Sequence, residues 1–154
     1  MSIILDGTSG ITSPTGGAPA FSVYSGTTQT ITANTWTKVG LNTKNFDTNS
    51  NFDATTNYRF TPTISGYYQI SWAVYTTNTA SNAYSQLYKN GSGIAYGSTS
   101  QPTGGVGSQI STGSFLVSMN GSTDYLELYA YSGSTNISSG STVTYMTGAF
   151  VRSL

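Results

Sequence analysis

The chain has 154 residues, balances 5 Lys and Arg against 5 Asp and Glu, and carries charge on only 6% of its residues, against about 25% in an average soluble protein. This length predicts one domain with a sizeable core, and the isolated cations exclude the basic patch that nucleic-acid binding needs. Since there is no Cys, disulfides and thiolate metal sites are excluded, and 12 Tyr, 6 Phe and 2 Trp argue against disorder.

The first segment in chain order, residues 1–18, is mostly polar. Its large aliphatic residues are Ile3, Ile4, Leu5 and Ile11. A secretory signal needs a basic start and an apolar stretch of about 7–15 residues, whereas Asp6 directly follows Leu5. No run in the chain approaches the roughly 18 apolar residues that span a bilayer, so we expect neither a signal peptide nor a membrane partner.

Residues 19–154 read as a succession of short strands. Val, Ile, Thr, Tyr, Phe and Trp recur in runs bounded by Gly, Asn, Ser and Pro, without helical periodicity. The predicted strands are 20–24, 28–33, 36–41, 58–60, 67–75, 85–89, 93–97, 114–119, 125–131 and 143–151. Ten short strands at this spacing predict an all-β sandwich or jelly roll.

Two of these strands have sharply different faces. Alternate residues point to opposite faces of a sheet, and in "YYQISWAVY" and "DYLELYAY" one set is suited to a core. The predicted core residues are Tyr68, Ile70, Trp72, Val74, Leu126, Leu128 and Ala130.

The opposite faces of the same strands are rich in tyrosine. A sandwich buries only its inner faces, so these side chains would form an exposed aromatic patch. We expect the patch to be a self-association interface; burial within the monomer and ligand binding are the alternatives. The predicted interface residues are Tyr67, Tyr75, Tyr125, Tyr129, Tyr131 and Tyr145.

Turn residues punctuate the strands. Asn90-Gly91 and Asn120-Gly121 are predicted hairpin turns, because Asn and Gly tolerate the positive φ of tight turns. Residues 76–83 and 98–107 are predicted long loops.

Catalytic and metal-binding chemistry has little support. There is no His or Cys, and Asp124 and Glu127 are three positions apart, which places them on opposite faces of a strand. The loop "DTNSNFD" at 47–53 has calcium-like alternate oxygens, but Phe52 replaces the turn glycine and Tyr58 the bidentate Glu. We therefore expect no catalytic residue, no metal and no cofactor.

The order of motifs in residues 19–154 resembles the globular heads of the complement C1q and tumour-necrosis-factor (TNF) family. It starts with "PAFSVY" at 19–24, and continues with "YRFTPTISGYYQIS" at 58–71, "LYKNG" at 87–91, "DYLELYAY" at 124–131 and "TYMTGAFV" at 144–151. The resemblance implies a trimeric ten-strand jelly roll. It also implies that strands 67–75, 125–131 and 143–151 share an inner sheet, whose tyrosine face packs around the threefold axis.

The opening phrase "IILDGTSGITSPTG" is similar to the start of many tailed-bacteriophage structural and fibre proteins. Together with the resemblance of residues 19–154 to the C1q/TNF heads, this similarity implies a non-enzymatic homotrimer on the virion surface, made in the host cytoplasm. Residues 1–18 would be an arm that docks on a capsid or tail protein through Ile3, Ile4, Leu5 and Ile11, and residues 19–154 the head. Capsid decoration is the first expectation; a tail-fibre tip that contacts host-surface glycans, and a free carbohydrate-binding module, are the alternatives.

Overall fold

The structure, a computed structural model, describes residues 4–6, 10–12, 17–79, 82–98, 107–133 and 135–154. Within these ranges every regular element is a β-strand, and no helix there is long and apolar enough to cross a membrane. The strands are β1 (Ile4–Asp6), β2 (Gly10–Thr12), β3 (Ala20–Tyr24), β4 (Gln29–Thr30), β5 (Thr37–Lys38), β6 (Thr43–Asp47), β7 (Phe52–Asp53), β8 (Arg59–Phe60), β9 (Gly66–Thr79), β10 (Ala83–Lys89), β11 (Ser92–Tyr96), β12 (Gly107–Met119), β13 (Leu126–Ser132), β14 (Asn136–Ile137) and β15 (Tyr145–Arg152).

The larger sheet has seven antiparallel strands built around β9. β12 pairs with one side of β9, and β15 pairs with the other. The sheet continues from β15 to β3 and then to β6. Near the C-terminal end of β9, the short β14 pairs with both β9 and β4.

The smaller sheet has six antiparallel strands built around β13. Its order is β11, β10, β13, β8 and β7, and β5 also pairs with β13. β1 and β2 form a separate two-stranded sheet with each other.

The core lies between the two large sheets. All seven predicted core residues are buried, because alternate side chains of β9 and β13 point inward from their respective sheets. Aromatic rings extend the core, with Phe21 stacked on Phe60 at 4.3 Å and Tyr68 edge-on to Phe60 at 5.4 Å. Burial raises the pKa of Tyr68 to about 12, and its hydroxyl donates to the carbonyl of Ile64.

A buried polar link joins the two sheets. Trp72 Nε1 on β9 donates to Ser85 Oγ on β10 at 2.8 Å, and Ser85 Oγ lies 2.7 Å from Ser111 Oγ on β12. Each of these groups thereby has a hydrogen-bond partner inside the sandwich, as buried polar groups require.

The two predicted hairpin turns have different outcomes. Asn90 and Gly91, with φ of 53° and 79°, join β10 to β11, so that prediction is confirmed. The prediction for Asn120-Gly121 was wrong, since β12 and β13 belong to different sheets. There, Asn120 Oδ1 instead accepts the backbone N–H of Ser122 and organises a crossing loop between the sheets.

Loop and strand boundaries also needed correction. The predicted loop 76–83 is mostly strand, because β9 continues to Thr79 and pairs with β12 as far as Gly107. The predicted loop 98–107 lies almost wholly outside the described residues. The strands β6, β7 and β14 were not predicted from the sequence.

The expected grouping of strands in one inner sheet was wrong for one member. The strands that contain residues 67–75 and 145–151 do share the seven-stranded sheet. β13, which contains most of 125–131, instead belongs to the six-stranded sheet, because it pairs with β10 along its full length.

Candidate functional site

The outward face of the seven-stranded sheet carries most of the exposed apolar surface. Seven large hydrophobic side chains are exposed in the described part of the chain, and five of them belong to this sheet. These five are Phe46, Ile110, Phe115, Leu116 and Val151. Phe115 lies opposite Ile70 of β9, on the core side of the edge strand β12, and the other four lie on the outward face. Exposed apolar surface concentrated in one region is typical of an interface.

One end of this face contains a small apolar depression. Tyr67, Leu116, Val151 and Arg152 line a volume of about 270 Å³. Leu116 and Val151 are 51% and 54% exposed, and the Arg152 guanidinium lies 5.9 Å from the centre of the Tyr67 ring. The cation therefore covers one aromatic ring and leaves the two aliphatic side chains open.

The centre of the face is polar, and its other end is again aromatic. Gln69 Nε2 donates to Ser114 Oγ at 2.7 Å, and that hydroxyl lies 3.1 Å from Ser71 Oγ. Towards the other end, Tyr75 is opposite Ile110 in the β9–β12 register. We call this outward surface the association face and define it by Phe46, Tyr67, Tyr75, Ile110, Leu116, Tyr145 and Val151.

The six tyrosines predicted to form one interface divide between the two sheets. Tyr67, Tyr75 and Tyr145 lie on the association face. The other three, Tyr125, Tyr129 and Tyr131, lie across the core on the outer face of the six-stranded sheet or just before its strand β13. The prediction of a single tyrosine patch was therefore wrong, because the pairing of β13 with β10 places the two groups of three tyrosines on opposite sides of the sandwich.

The outer face of the six-stranded sheet is a second aromatic surface. Tyr88 stacks on Tyr129 with ring centres 4.0 Å apart, and Tyr84 meets Tyr131 edge-on at 5.9 Å. These contacts use cross-strand neighbours of β10 and β13, which are the units of side-chain packing on a sheet face.

Charged groups on this second surface are paired. Lys38 Nζ lies 2.6 Å from Glu127 Oε1, and the Arg59 guanidinium lies 4.6 Å from the centre of the Tyr125 ring. Burial, and next the Glu127 carboxylate, raise the pKa of Tyr129. Its phenol therefore stays protonated over a wide pH range.

A cleft opens at one end of the second surface. It has a volume of about 500 Å³ and is lined by Asn34, Trp36, Asn82, Tyr84, Tyr96 and Tyr131. The Trp36 ring lies 5.6 Å from that of Tyr131 and 6.0 Å from that of Tyr96. We call this feature the aromatic cleft.

Neighbouring backbone bonds position the cleft. The Asn34 amide nitrogen donates to the carbonyl of Ser132 at 2.8 Å, which ties the turn before Trp36 to the end of β13. Asn34 has a φ of 57°, a left-handed conformation that Asn adopts more readily than most residues.

Sequence reasoning missed the cleft because its residues come from four separate segments. Trp36 precedes β5, whereas Tyr84, Tyr96 and Tyr131 belong to β10, β11 and β13. The only signal in the sequence is a tryptophan beside turn residues in "ANTWT".

Three of the four residues proposed for docking lie within the described part of the chain. Ile3 lies outside the described residues, Ile4 and Leu5 lie on β1, and Ile11 lies on β2. Leu5 and Ile11 are Cα partners in the antiparallel β1–β2 register, so the hairpin brings these positions together.

In the segment with calcium-like spacing, residues 47–53, the aspartate carboxylates accept hydrogen bonds from nearby backbone N–H groups. Asp47 accepts the N–H groups of Asn51 and Phe52 as well as Lys44 Nζ. Burial acts to raise the pKa of Asp47, but these hydrogen bonds outweigh burial and leave the pKa lowered. The carboxylate therefore caps a turn within its own segment.

Asp53 has the same role in the following turn. Its carboxylate accepts the backbone N–H groups of Thr55, Thr56 and Asn57. The hydrogen bond from Thr56, followed by that from Thr55, holds the pKa of Asp53 well below its usual range.

The carboxylates considered for catalysis also have structural partners. Asp124 accepts Asn90 Nδ2 and lies 2.9 Å from Lys89 Nζ, and Glu127 is paired with Lys38. Among the described residues, no group of three or more His, Cys, Asp or Glu side chains could hold a metal ion.

Comparison with known proteins identifies the fold. The globular domain of zebrafish complement 1qA superposes with a TM-score of 0.68 at 16% identity, over 89% of this chain and 99% of that one. Murine APRIL at pH 5.0 gives 0.69 at 9% identity, over 87% and 99%. Eiger TNF from S. frugiperda gives 0.67 at 8% identity, over 89% and 94%.

The sandwich is therefore a C1q/TNF-like jelly roll, as the motif order implied. No protein-family model and no curated protein sequence matches the chain. At these low identities the structural likeness defines the fold and not the activity.

Proposed function

We propose that the protein is a non-enzymatic structural protein that forms a homotrimer through the association face. The observation that carries this proposal is the concentration of exposed hydrophobic side chains on one sheet. Aromatic and aliphatic ends around a hydrogen-bonded polar centre are suited to a surface that becomes buried between identical subunits. The C1q/TNF-like fold supports three as the number of subunits, because heads of this kind are trimeric.

We further propose that the trimer decorates the surface of a phage particle. The support comes from the opening phrase "IILDGTSGITSPTG", which is similar to the start of phage structural proteins. Residues 1–18 would dock on a capsid or tail protein through Ile3, Ile4, Leu5 and Ile11, and the last three of these positions lie on the hairpin of β1 and β2.

A tail-fibre tip that contacts host-surface glycans is the second candidate. The aromatic cleft favours it, because Trp and Tyr rings beside amide groups are suited to sugars. A free carbohydrate-binding module would use the same cleft but would not need a docking arm.

The docking arm can be tested without shortening the chain. In the variant with Ile4→Ser, Leu5→Ser and Ile11→Ser, we expect the head to assemble normally but incorporation into particles to be lost, because the apolar contacts are removed. The measurement compares the protein in purified particles with the protein in solution, by mass spectrometry.

The matched control carries Thr8→Ala, Ser9→Ala and Ser13→Ala, which change the same segment and spare its large aliphatic residues. This control should enter particles as the unmodified chain does. Equal incorporation of the serine variant and the control would overturn the docking role while leaving the trimer proposal standing.

A further inference from the structure

We propose that the aromatic cleft of the six-stranded sheet binds one end of a neutral carbohydrate, with a pyranose ring stacked on Trp36. This site is separate from the structural role proposed above, and it deepens the second candidate function by naming the class of ligand. The site depends only on the six-stranded sheet and its connecting segments. The sugar-binding proposal can therefore fail while the proposal of assembly through the association face stands, and the reverse.

The first argument is the shape and composition of the cleft. Its volume of about 500 Å³ lies within the range of small-molecule sites, about 300–1,000 Å³. Four of its six lining residues are aromatic. The axial C–H groups of a pyranose form an apolar patch that can lie flat on an aromatic ring.

The second argument is the arrangement of the rings. Trp36 is half-buried, and the ring of Tyr96 beside it is 66% exposed. The Trp36 ring is inclined at 62° to Tyr96 and at 50° to Tyr131. The rings therefore form a concave corner rather than one flat stack, and a corner can contact a sugar on its face and on its edge.

The third argument is the polar rim. Asn82 Nδ2 donates to Tyr84 Oη at 2.7 Å, and accepting this bond leaves the phenol's own proton able to donate to a ligand. Amide groups of Asn34 and Asn82 add donors and acceptors of the kind that sugar hydroxyls match.

The fourth argument concerns charge and favours a neutral ligand. None of the six lining residues is an Asp, Glu, Lys, Arg or His. The nearest cation along the chain, Lys38, is paired with Glu127 at 2.6 Å. An acidic sugar would therefore find no free cation among the lining groups.

The protein contains its own internal reference for a binding experiment, because it has two tryptophans. The Trp36 indole lies in the cleft, whereas the Trp72 indole is buried in the core and bonded to Ser85. Two-dimensional nitrogen–proton spectra of the full chain should show two indole signals. The probes are maltose, cellobiose, lactose and N,N′-diacetylchitobiose, each titrated into the millimolar range.

We expect at least one probe to shift the Trp36 indole signal saturably while the Trp72 signal stays fixed. Trp36→Ala should weaken binding at least about ten-fold, since it removes the stacking surface. Tyr96→Ala provides a second test on an exposed side chain whose removal should not disturb folding. Tyr125→Ala is the control, because this ring lies outside the cleft under Arg59.

Three results would overturn the proposal. The first is the absence of any saturable Trp36 shift with all four sugars. The second is equal weakening by Tyr125→Ala and Tyr96→Ala. The third is a Trp36 shift that a proline-rich peptide produces and no sugar does, which would make the cleft a peptide groove.

Discussion

Gly113 allows close packing inside the sandwich, because the Trp72 ring occupies the space where a side chain would lie. It lies on β12 opposite Trp72 of β9, and a Cβ atom at this position would collide with the Trp72 ring. That ring in turn donates to Ser85 on the other sheet. The missing side chain therefore gives the indole the space it needs to reach its partner across the core.

We expect Gly113→Ala to lower the free energy of unfolding by about 1–3 kcal/mol, because the added methyl group overpacks the core. Gly107→Ala on the same strand is the matched control, since among the described residues no atom beyond its chain neighbours lies within 4 Å of the position its Cβ would take. Urea denaturation of both variants measures the difference. Equal stability of the two would contradict this account of Gly113.

The lowered pKa of Asp53 predicts how the free energy of unfolding responds to acid. Its pKa is lowered in the folded protein by N–H donors that favour the ionised form. A lowered folded pKa means that the stabilisation is present above the ordinary value of 3.8 and is lost as the pH falls below it.

Asp53→Asn should therefore be less stable than the unmodified chain at neutral pH, and the difference should shrink as the pH falls below 3.8. Thermal melts across this acid range measure it. Thr55→Val keeps the backbone donor and should leave the pH profile nearly unchanged. A stability difference that does not depend on pH would show that Asp53 acts by some means other than its charge.

At the scale of elements, strand periodicity predicted correctly which face of a strand points into the core. It predicted only in part which strands pair in the same sheet. Tyr68 and Leu126 are both buried as predicted, since alternation is a local property of each strand. The sheet that a strand joins depends on pairing between distant segments, so β13 was assigned to the wrong sheet. The same limit explains Asn120-Gly121, whose local signal fits a hairpin and whose position requires a crossing loop.

Short polar strands, and sites whose residues come from several strands, were not predicted, because both depend on pairing between distant segments. β6, with the sequence "TKNFD", has no alternating apolar pattern and is held in place by its pairing with β3. The aromatic cleft and the apolar depression beside Leu116 both combine residues from several strands. Only the three-dimensional pairing brings those side chains together.

The two sheets offer a matched pair of substitutions at this scale. Leu116 on β12 and Tyr96 on β11 are both exposed, but only Leu116 belongs to the association face. Leu116→Asp should convert trimers to monomers, because a buried unpaired charge opposes association. Tyr96→Asp should leave the trimer intact and abolish sugar binding.

Size-exclusion chromatography with light scattering, together with the sugar titration, separates the two effects. An intact trimer from the Leu116 variant, or monomers from the Tyr96 variant, would show that the association face has been assigned to the wrong sheet.

For the whole molecule, the two outer faces of the jelly roll differ in composition. The seven-stranded sheet carries the exposed aliphatic and aromatic groups of the association face, and the six-stranded sheet carries the aromatic cleft. Because the faces lie on opposite sides of the core, assembly through one leaves the other open to a ligand. Under the proposed function, the segment that contains β1 and β2 would connect this assembly to a phage particle.

The central claim is self-association, and the mass of the full-length protein in solution tests it most directly. Native mass spectrometry at several protein concentrations should give a species of three times the 16.2 kDa chain. A mass of 16.2 kDa at every concentration would contradict the account.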